Sequence, residues 1–411
     1  MKFSENLYIR IVIISLCALP VLAVAVPRFL AFGPVIIAVL GLIIYRLVFV
    51  HWPKLSYIAL GWALVFIALM GFSSLWAVDP NFALERTGKS TPVLLGAALL
   101  FSLLRDLSAK NTLAVDLFHR AFPLSILIMG LLCIMELYGG RPLYHLLHDV
   151  PQMEKSSINL SSMNRAVTVF SLCVFPAHYV LFHENFAPLI RKALILSLWL
   201  VTIAILFKTH SQSAQLAFVI GGLTYLFFPA SRPRAFIALG IVLGLVFLSA
   251  PWLAQLLFNS FSGLIKDGSW LQKGFAANRM EIWDFVARQA LQQPFIGHGV
   301  EATRAIKDFD TSRIYHPDSE VLHPHNFALQ IWIEFGVLGA FLGAGFLGSI
   351  LYHIRNISLH AAKTLLAVLI IALSVSATGY GIWQGWWLGT FALLLGYGAL
   401  MSDKLKNVNF A

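Results

Sequence analysis

The segment His316-Pro317-Asp318-Ser319-Glu320-Val321-Leu322-His323-Pro324-His325-Asn326 gathers three histidines and two carboxylates just before a long apolar run. These residue types admit two chemistries. Imidazole and carboxylate are good ligands for zinc or manganese. Against a metal, Pro317 and Pro324 break the stretch, and the donors lack the i,i+4 spacing of a preformed helical site. The second chemistry is proton transfer. A histidine at the mouth of the run, with its pKa near neutrality, suits the abstraction of a proton from a hydroxyl, and His325 holds that position. The plainer alternative, an interfacial histidine hydrogen-bonded to a loop carbonyl, stays open at this stage.

Those groups need elements to hold them. Asn326, Gln330 and Glu334 are spaced by four and form one polar stripe on a helix otherwise built of Phe327, Leu329, Ile331, Trp332, Ile333 and Phe335. A carboxylate inside a span is expensive, so Glu334 either marks a site or joins helices together. Upstream, Asn278-Arg279-Met280-Glu281 has the form of a capping box and predicts a helix over 278–293. Ile282, Trp283, Val286 and Ala290 give it an apolar stripe, with Arg279, Asp284, Arg288 and Gln292 on other faces. Pro294, Gly297 and Gly299 stop it. Such a helix would lie along a membrane surface or roof a cavity and carry Arg279 toward a substrate, unless Arg279 simply snorkels.

The chain as a whole must sit in a lipid bilayer. Of its 411 residues, 59% are hydrophobic and 12% charged, against about a quarter charged in soluble domains. That excludes a soluble enzyme. A mean hydropathy of +0.79 with 32 Phe and 11 Trp also excludes a disordered chain. Runs near the 20-residue length of a span occur over 8–26, 29–50, 55–76, 90–104, 113–138, 163–183, 190–207, 211–228, 235–257, 326–353, 361–380 and 382–401. The expected architecture is an all-α polytopic membrane protein of about twelve spans. The N-terminal run reads as the first span rather than a cleaved signal peptide. Cys17, Cys133 and Cys173 all fall in apolar runs and read as core residues.

With the N-terminus inside, fourteen Lys and Arg fall on the cytoplasmic side and seven in short outer loops: Arg28, Arg86, Lys89, Arg141, Lys155, Arg165 and Lys208. The net charge of +10 fits orientation signals, contacts with membrane lipids or an anionic substrate. No nucleic-acid partner is expected, because no basic stripe with interleaved aromatics lies outside the apolar runs. The outer segments 139–163 and 258–324 are too long for turns and point to a periplasmic working face. The chain therefore divides into spans over 1–257, a loop over 258–325 with its amphipathic helix, and spans with a cytoplasmic tail over 326–411.

Several motifs resemble the bacterial O-antigen ligases, within the O-antigen ligase and polymerase superfamily. His325-Asn326, nine residues, then Gly336 resembles that family's histidine signature, and His323-Pro324-His325-Asn326-x-x-Leu329-Gln330-x-x-x-Glu334-x-Gly336 extends it. Arg279-x-x-x-Trp283 followed by Pro294-x-x-Gly297-x-Gly299 resembles the upstream loop motif, and Ser74-x-Trp76-Ala77-x-Asp79-Pro80 a further feature. Thr209-His210-Ser211-Gln212 departs from it, with Gln212 where members commonly carry arginine.

The resemblance implies a GT-C-like glycosyltransferase of the bacterial inner membrane, with its active site facing the periplasm. It would move O-antigen from undecaprenyl pyrophosphate to lipid A-core, inverting the anomeric centre without metal or cofactor. His325 would be the base and Arg279 the main pyrophosphate contact. Arg165 and Arg86 would come next, then Lys89, Lys208, Arg288 and Arg141, with Asn326, Gln330 and His323 beside the histidine. The rival readings are an O-antigen polymerase, a protein O-glycosyltransferase and a transporter. Transporters usually show repeats with interrupted spans at the midplane.

Overall fold

A backbone in lipid must satisfy its own hydrogen bonds, so apolar runs of this length fold as helices. The computed structural model describes residues 2–148, 160–184, 186–264, 276–306, 309 and 321–401, and no strand occurs among them. The helices are α1 (Lys2–Ala25), α2 (Gly33–Phe49), α3 (Tyr57–Ser73), α4 (Pro80–Lys110), α5 (Thr112–Tyr138), α6 (Pro142–His148), α7 (Asn164–His183) and α8 (Pro188–Lys208). They continue as α9 (Gln212–Phe227), α10 (Pro233–Leu248), α11 (Ala250–Phe261), α12 (Ala276–Gln292), α13 (Ala302–Ala305), α14 (Phe327–Ile354), α15 (Leu359–Thr378) and α16 (Gly385–Met401).

Each expected apolar run falls on a helix, with four differences. Among the described residues, seven helices are long and apolar enough to cross a membrane, or eight if one bent pair counts as a single span. Helices α2, α3 and α16 are apolar but 17 residues long, at the lower limit for a span. The run 235–257 is that bent pair: α10 and the helix from Ala250 meet at 72°, across Ser249 and a helix carrying Pro251 in its first turn. The fourth run begins ten residues early, because Asp79 caps α4 through Asn81 N (2.9 Å) and Phe82 N (3.1 Å), and Pro80 fits its first position. Arg86 and Lys89 therefore stand on a helix and not in a loop. Helix α12 is already helical at Ala276, which puts Asn278 inside the helix rather than at its cap. It packs between α11 and α14, with Glu281 and Asp284 buried beside its apolar stripe.

Two large apolar clusters and a small third one around Phe236, Leu351 and Leu366 form the interior among the described residues. Of the large ones, one is built mainly on α1, α2, α4, α5, α7 and α16, the other on α3, α11, α12 and α14. These two meet at the 379–384 linker between α15 and α16: Tyr380 packs on the first, Ile382 and Trp383 on the second. Large apolar side chains such as Leu47, Leu200, Phe207 and Leu245 stay exposed on the outside, where a bilayer would cover them.

One break positions the site. Helix α14 is interrupted at Gly336 (φ 60°, ψ −152°). In an unbroken helix, the Val337 and Leu338 amides would donate to the Ile333 and Glu334 carbonyls. Here they donate to Pro294 O (2.7 Å) and Phe295 O (3.3 Å). The released Ile333 and Glu334 carbonyls accept from His298 N (2.7 Å) and Gly299 N (2.9 Å). The segment 294–299 thus replaces the lost helical bonds with its own backbone, as buried polar groups require. Close approach is what the glycines permit: a Cβ on Gly336 would lie 2.6 Å from Pro294 O, and one on Gly299 2.5 Å from Ala77 Cα. The 74–80 motif joins the same knot, with Trp76 Nε1 donating to Ile296 O (3.2 Å) and Val78 N to His298 O (3.0 Å). Three motifs far apart in sequence are one backbone assembly.

Candidate functional site

Asn326 caps α14 by accepting from Ala328 N (3.0 Å) and Leu329 N (3.2 Å), which leaves the preceding residue just outside the helix. That residue, His325, has φ 53°, an uncommon conformation for a side chain other than Gly, Asn or Asp. Its Nδ1 lies 2.5 Å from Gly379 O. A carbonyl only accepts, so Nδ1 carries the proton and the neutral ring keeps its basic lone pair on Nε2. The loop is pinned from the other side by Trp283 of α12, whose Nε1 donates to Pro324 O (2.9 Å).

His323 packs edge-on against His325, ring centroids 4.1 Å apart, and its Nε2 lies 3.1 Å from the Gln384 amide nitrogen. Burial pushes the His323 pKa down, with Arg304 and Arg86 adding repulsion, so the neutral ring is favoured. It supports His325 from behind.

Arg279 reaches Ser213 Oγ (3.5 Å), and that hydroxyl donates to Thr378 O (3.1 Å), one residue before the carbonyl that holds His325. Burial lowers the Arg279 pKa, yet guanidinium stays charged at any relevant pH. Arg165 sits over Trp386, 5.6 Å from the ring centroid, and within electrostatic reach of Arg28. Tyr380 lies in the field of both Arg165 and Arg279, and its hydroxyl bonds with Thr168. Burial raises the Tyr380 pKa, so it serves as a neutral donor. Among the described residues neither Arg279 nor Arg165 forms an ion pair with a carboxylate. Two guanidinium groups without an ion-pair partner among the described residues, near the linker that holds a tautomer-fixed histidine, can hold an oxyanion while the histidine takes a proton.

The other expected residues divide by partner. Arg86 points inward, ion-paired with Glu301 and bonded to Trp383 O (3.4 Å). Lys89 pairs with Glu85 at an exposed position, and Arg288, itself exposed, pairs with the buried Asp284 (2.9 Å). Arg141 is buried at φ 67° over the Tyr144 ring (3.9 Å), and Lys208 sits over Tyr138 (5.5 Å). Gln330 is buried with both amide ends in use: Nε2 donates to Glu334 (3.0 Å) and Oε1 accepts from Ile382 N (2.9 Å). It holds the linker and presents nothing outward. Glu334 also accepts from Trp383 Nε1 (2.5 Å) and Glu301 N (3.2 Å). Its expected role as glue between helices and its place beside the site are thus one fact.

Sequence reasoning missed Ser213, Glu301, Tyr380, Trp383 and Gln384. The 379–387 stretch reads as a turn between spans, but Gln384 amid Trp383, Trp386 and Trp387 is a polar residue without a structural excuse there. As to metal, no group of three or more His, Cys, Asp or Glu able to hold an ion occurs among the described residues. His316, Asp318 and Glu320 lie outside them.

Residues 196–344 match the sequence model of the family described as O-antigen ligase. The stretch runs from α8 past the Gly336 break and includes Arg279, the 294–299 segment and His325. Over 257 residues the chain is 28% identical to a protein of Rickettsia conorii provisionally named polysaccharide ligase, covering 59% of this chain and 58% of that one. A protein of Rickettsia felis with the same provisional name is 27% identical over 59% of each. The chain therefore spans about three fifths of the length of the curated relatives it matches. No solved structure matches it.

Proposed function

We propose that this chain is a membrane glycosyltransferase of the O-antigen ligase type. It transfers a polysaccharide from undecaprenyl pyrophosphate to lipid A-core at the periplasmic face of the bacterial inner membrane. The observation that carries the reading is the pairing of His325, whose Nδ1–H bonds Gly379 O and leaves the basic lone pair on Nε2, with two guanidinium groups that have no carboxylate partner among the described residues. The family match and the names of the relatives support the substrate class.

The reaction forms a bond between an acceptor hydroxyl oxygen and the anomeric carbon, and breaks that carbon's bond to pyrophosphate. The hydroxyl is a poor nucleophile, and His325 Nε2 takes its proton as the bond forms, a contribution of about 10²–10⁴-fold. Negative charge develops on the departing pyrophosphate, which Arg279 and Arg165 receive with planar, always charged donors. Attack opposite the leaving group inverts the anomeric centre in one displacement. Gly379 O, acting on Nδ1–H, steadies the imidazolium that results.

The test is complementation. Cells lacking their own ligase but making lipid-linked O-antigen receive this chain or its His325→Ala variant at equal level, and extracted lipopolysaccharide is run on a gel. A ladder on lipid A-core from the parent alone is the expected result. No ladder from the parent, in a strain whose core offers the right acceptor, would overturn ligation and favour polymerisation of the same donor. Ladders from both would remove His325 as the base.

A further inference from the structure

At the end of the bundle opposite His325, the C-terminal turns of α7 and α9 and the first turns of α15 enclose a cavity of about 290 Å³. Helix α7 alone spans 20 residues, about 30 Å at 1.5 Å per residue, which separates this cavity from Arg165 and the site. Its volume is at the small end of ligand pockets.

The lining is sorted by polarity. His178, His183, His360, Lys363 and the two tyrosines Tyr179 and Tyr225 supply polar groups, while Phe182, Leu226 and Leu359 form an exposed apolar margin. His178 Nδ1 accepts from Trp199 Nε1 (3.3 Å), so its Nε2 carries a proton and can donate. Lys363 and His360 project from the first turns of α15, whose cap Ser358 makes no side-chain bond to the free amides there. Those amides add partial positive charge to that of Lys363. Among the described residues no carboxylate lines the cavity. Glu184, the next acidic group along α7, is engaged by His119 and Arg120.

We propose that this cavity binds the phosphate of an anionic phospholipid from the leaflet opposite the one on which His325 opens. The cationic and N–H donors fit a phosphodiester, and basic pockets between spans recur as headgroup sites. The apolar margin favours a lipid over free phosphate, because Phe182 (56% exposed) and Leu226 (64% exposed) would lie against acyl chains. The site is separate from the transfer reaction and does not depend on its identity.

The experiment follows thermal unfolding of the full chain in neutral detergent, titrated with phosphatidylglycerol, phosphatidylcholine or inorganic phosphate. Phosphatidylglycerol should raise the unfolding temperature, and the other two should not. Replacing both groups at the α15 end (His360→Gln with Lys363→Gln) should weaken the phosphatidylglycerol effect at least five-fold, about 1 kcal/mol for the lost cation. Both residues are at least partly exposed, so the double variant should unfold at the parental temperature without lipid. Lys192→Gln, an exposed cation at the same end but outside the lining, should leave the lipid effect intact. Equal effects of the two lipids, an unchanged double variant, or an equal loss in Lys192→Gln would overturn the proposal. A shift by inorganic phosphate that the double variant loses would overturn the lipid as its source.

Discussion

Replacing Gly336 with alanine strikes the backbone exchange that builds the site. At φ 60°, ψ −152° the residue occupies a region close to glycine-only, where a side chain costs about 1–3 kcal/mol. The new Cβ would also sit 2.6 Å from Pro294 O and the Phe295 carbonyl carbon, both backbone atoms that cannot swing aside. The chain's escape is to straighten α14, which restores two helical bonds but strips partners from Pro294 O, Phe295 O, His298 N and Gly299 N. Two bonds regained for four lost leaves two, at about 1 kcal/mol each, so either route disfavours the closed knot by about 2–3 kcal/mol. That is roughly a 30- to 150-fold fall in the closed-to-open ratio. The assay is limited proteolysis within 294–306 alongside the lipopolysaccharide ladder. Cleavage should accelerate and the ladder fade together. Gly348→Ala, in the same helix with open space around its Cβ, should be neutral or stabilising by up to about 1 kcal/mol. If Gly336→Ala matched Gly348→Ala in both measurements, the exchange would not hold the site together.

Arg279→Lys keeps the charge but loses the planar fork, and should lower kcat/KM by about ten- to hundred-fold in a ligation assay, whereas Lys89→Gln, removing an exposed pair with Glu85, should stay near parental. Arg86→Gln leaves Glu301 with Arg304 as its cation; allowing for the quarter exposure of Arg86, it should destabilise by about 1–3 kcal/mol, and adding Glu301→Gln should recover part of that in thermal unfolding. His323 is held neutral by burial, so its folded pKa lies below that of the unfolded chain. The unfolded state then binds more protons on acidification, and stability should fall as pH drops below about 6.5. His323→Gln should flatten that slope between about pH 8 and pH 5.

Composition and run length sufficed for the membrane class and for the place of nearly every helix, because lipid leaves an apolar run no other way to satisfy its backbone. Local spacing also marked His325 and Asn326, and the family resemblance marked the glycines at 297, 299 and 336, but the backbone those glycines approach, at Glu334, Ala77 and Pro294, is set by the fold. The partners of charges were not local. Arg86, Lys89, Arg165, Arg279 and Arg288 look alike as outer cations in the sequence, yet one is neutralised by Glu301 two hundred residues away, two pair along their own helices, and two have no ion-pair partner among the described residues. Helix α12 read as amphipathic because its polar stripe was assumed to be wet; packing against α11 and α14 buries part of it. The 379–384 linker gained its role only from tertiary structure, because it lies at the seam of two apolar clusters, each assembled from segments far apart in the chain. There its carbonyls and side chains become the nearest partners for His325, Gln330 and Glu334. Periodicity reports which face of an element is apolar, but only the fold decides which polar groups are left to meet.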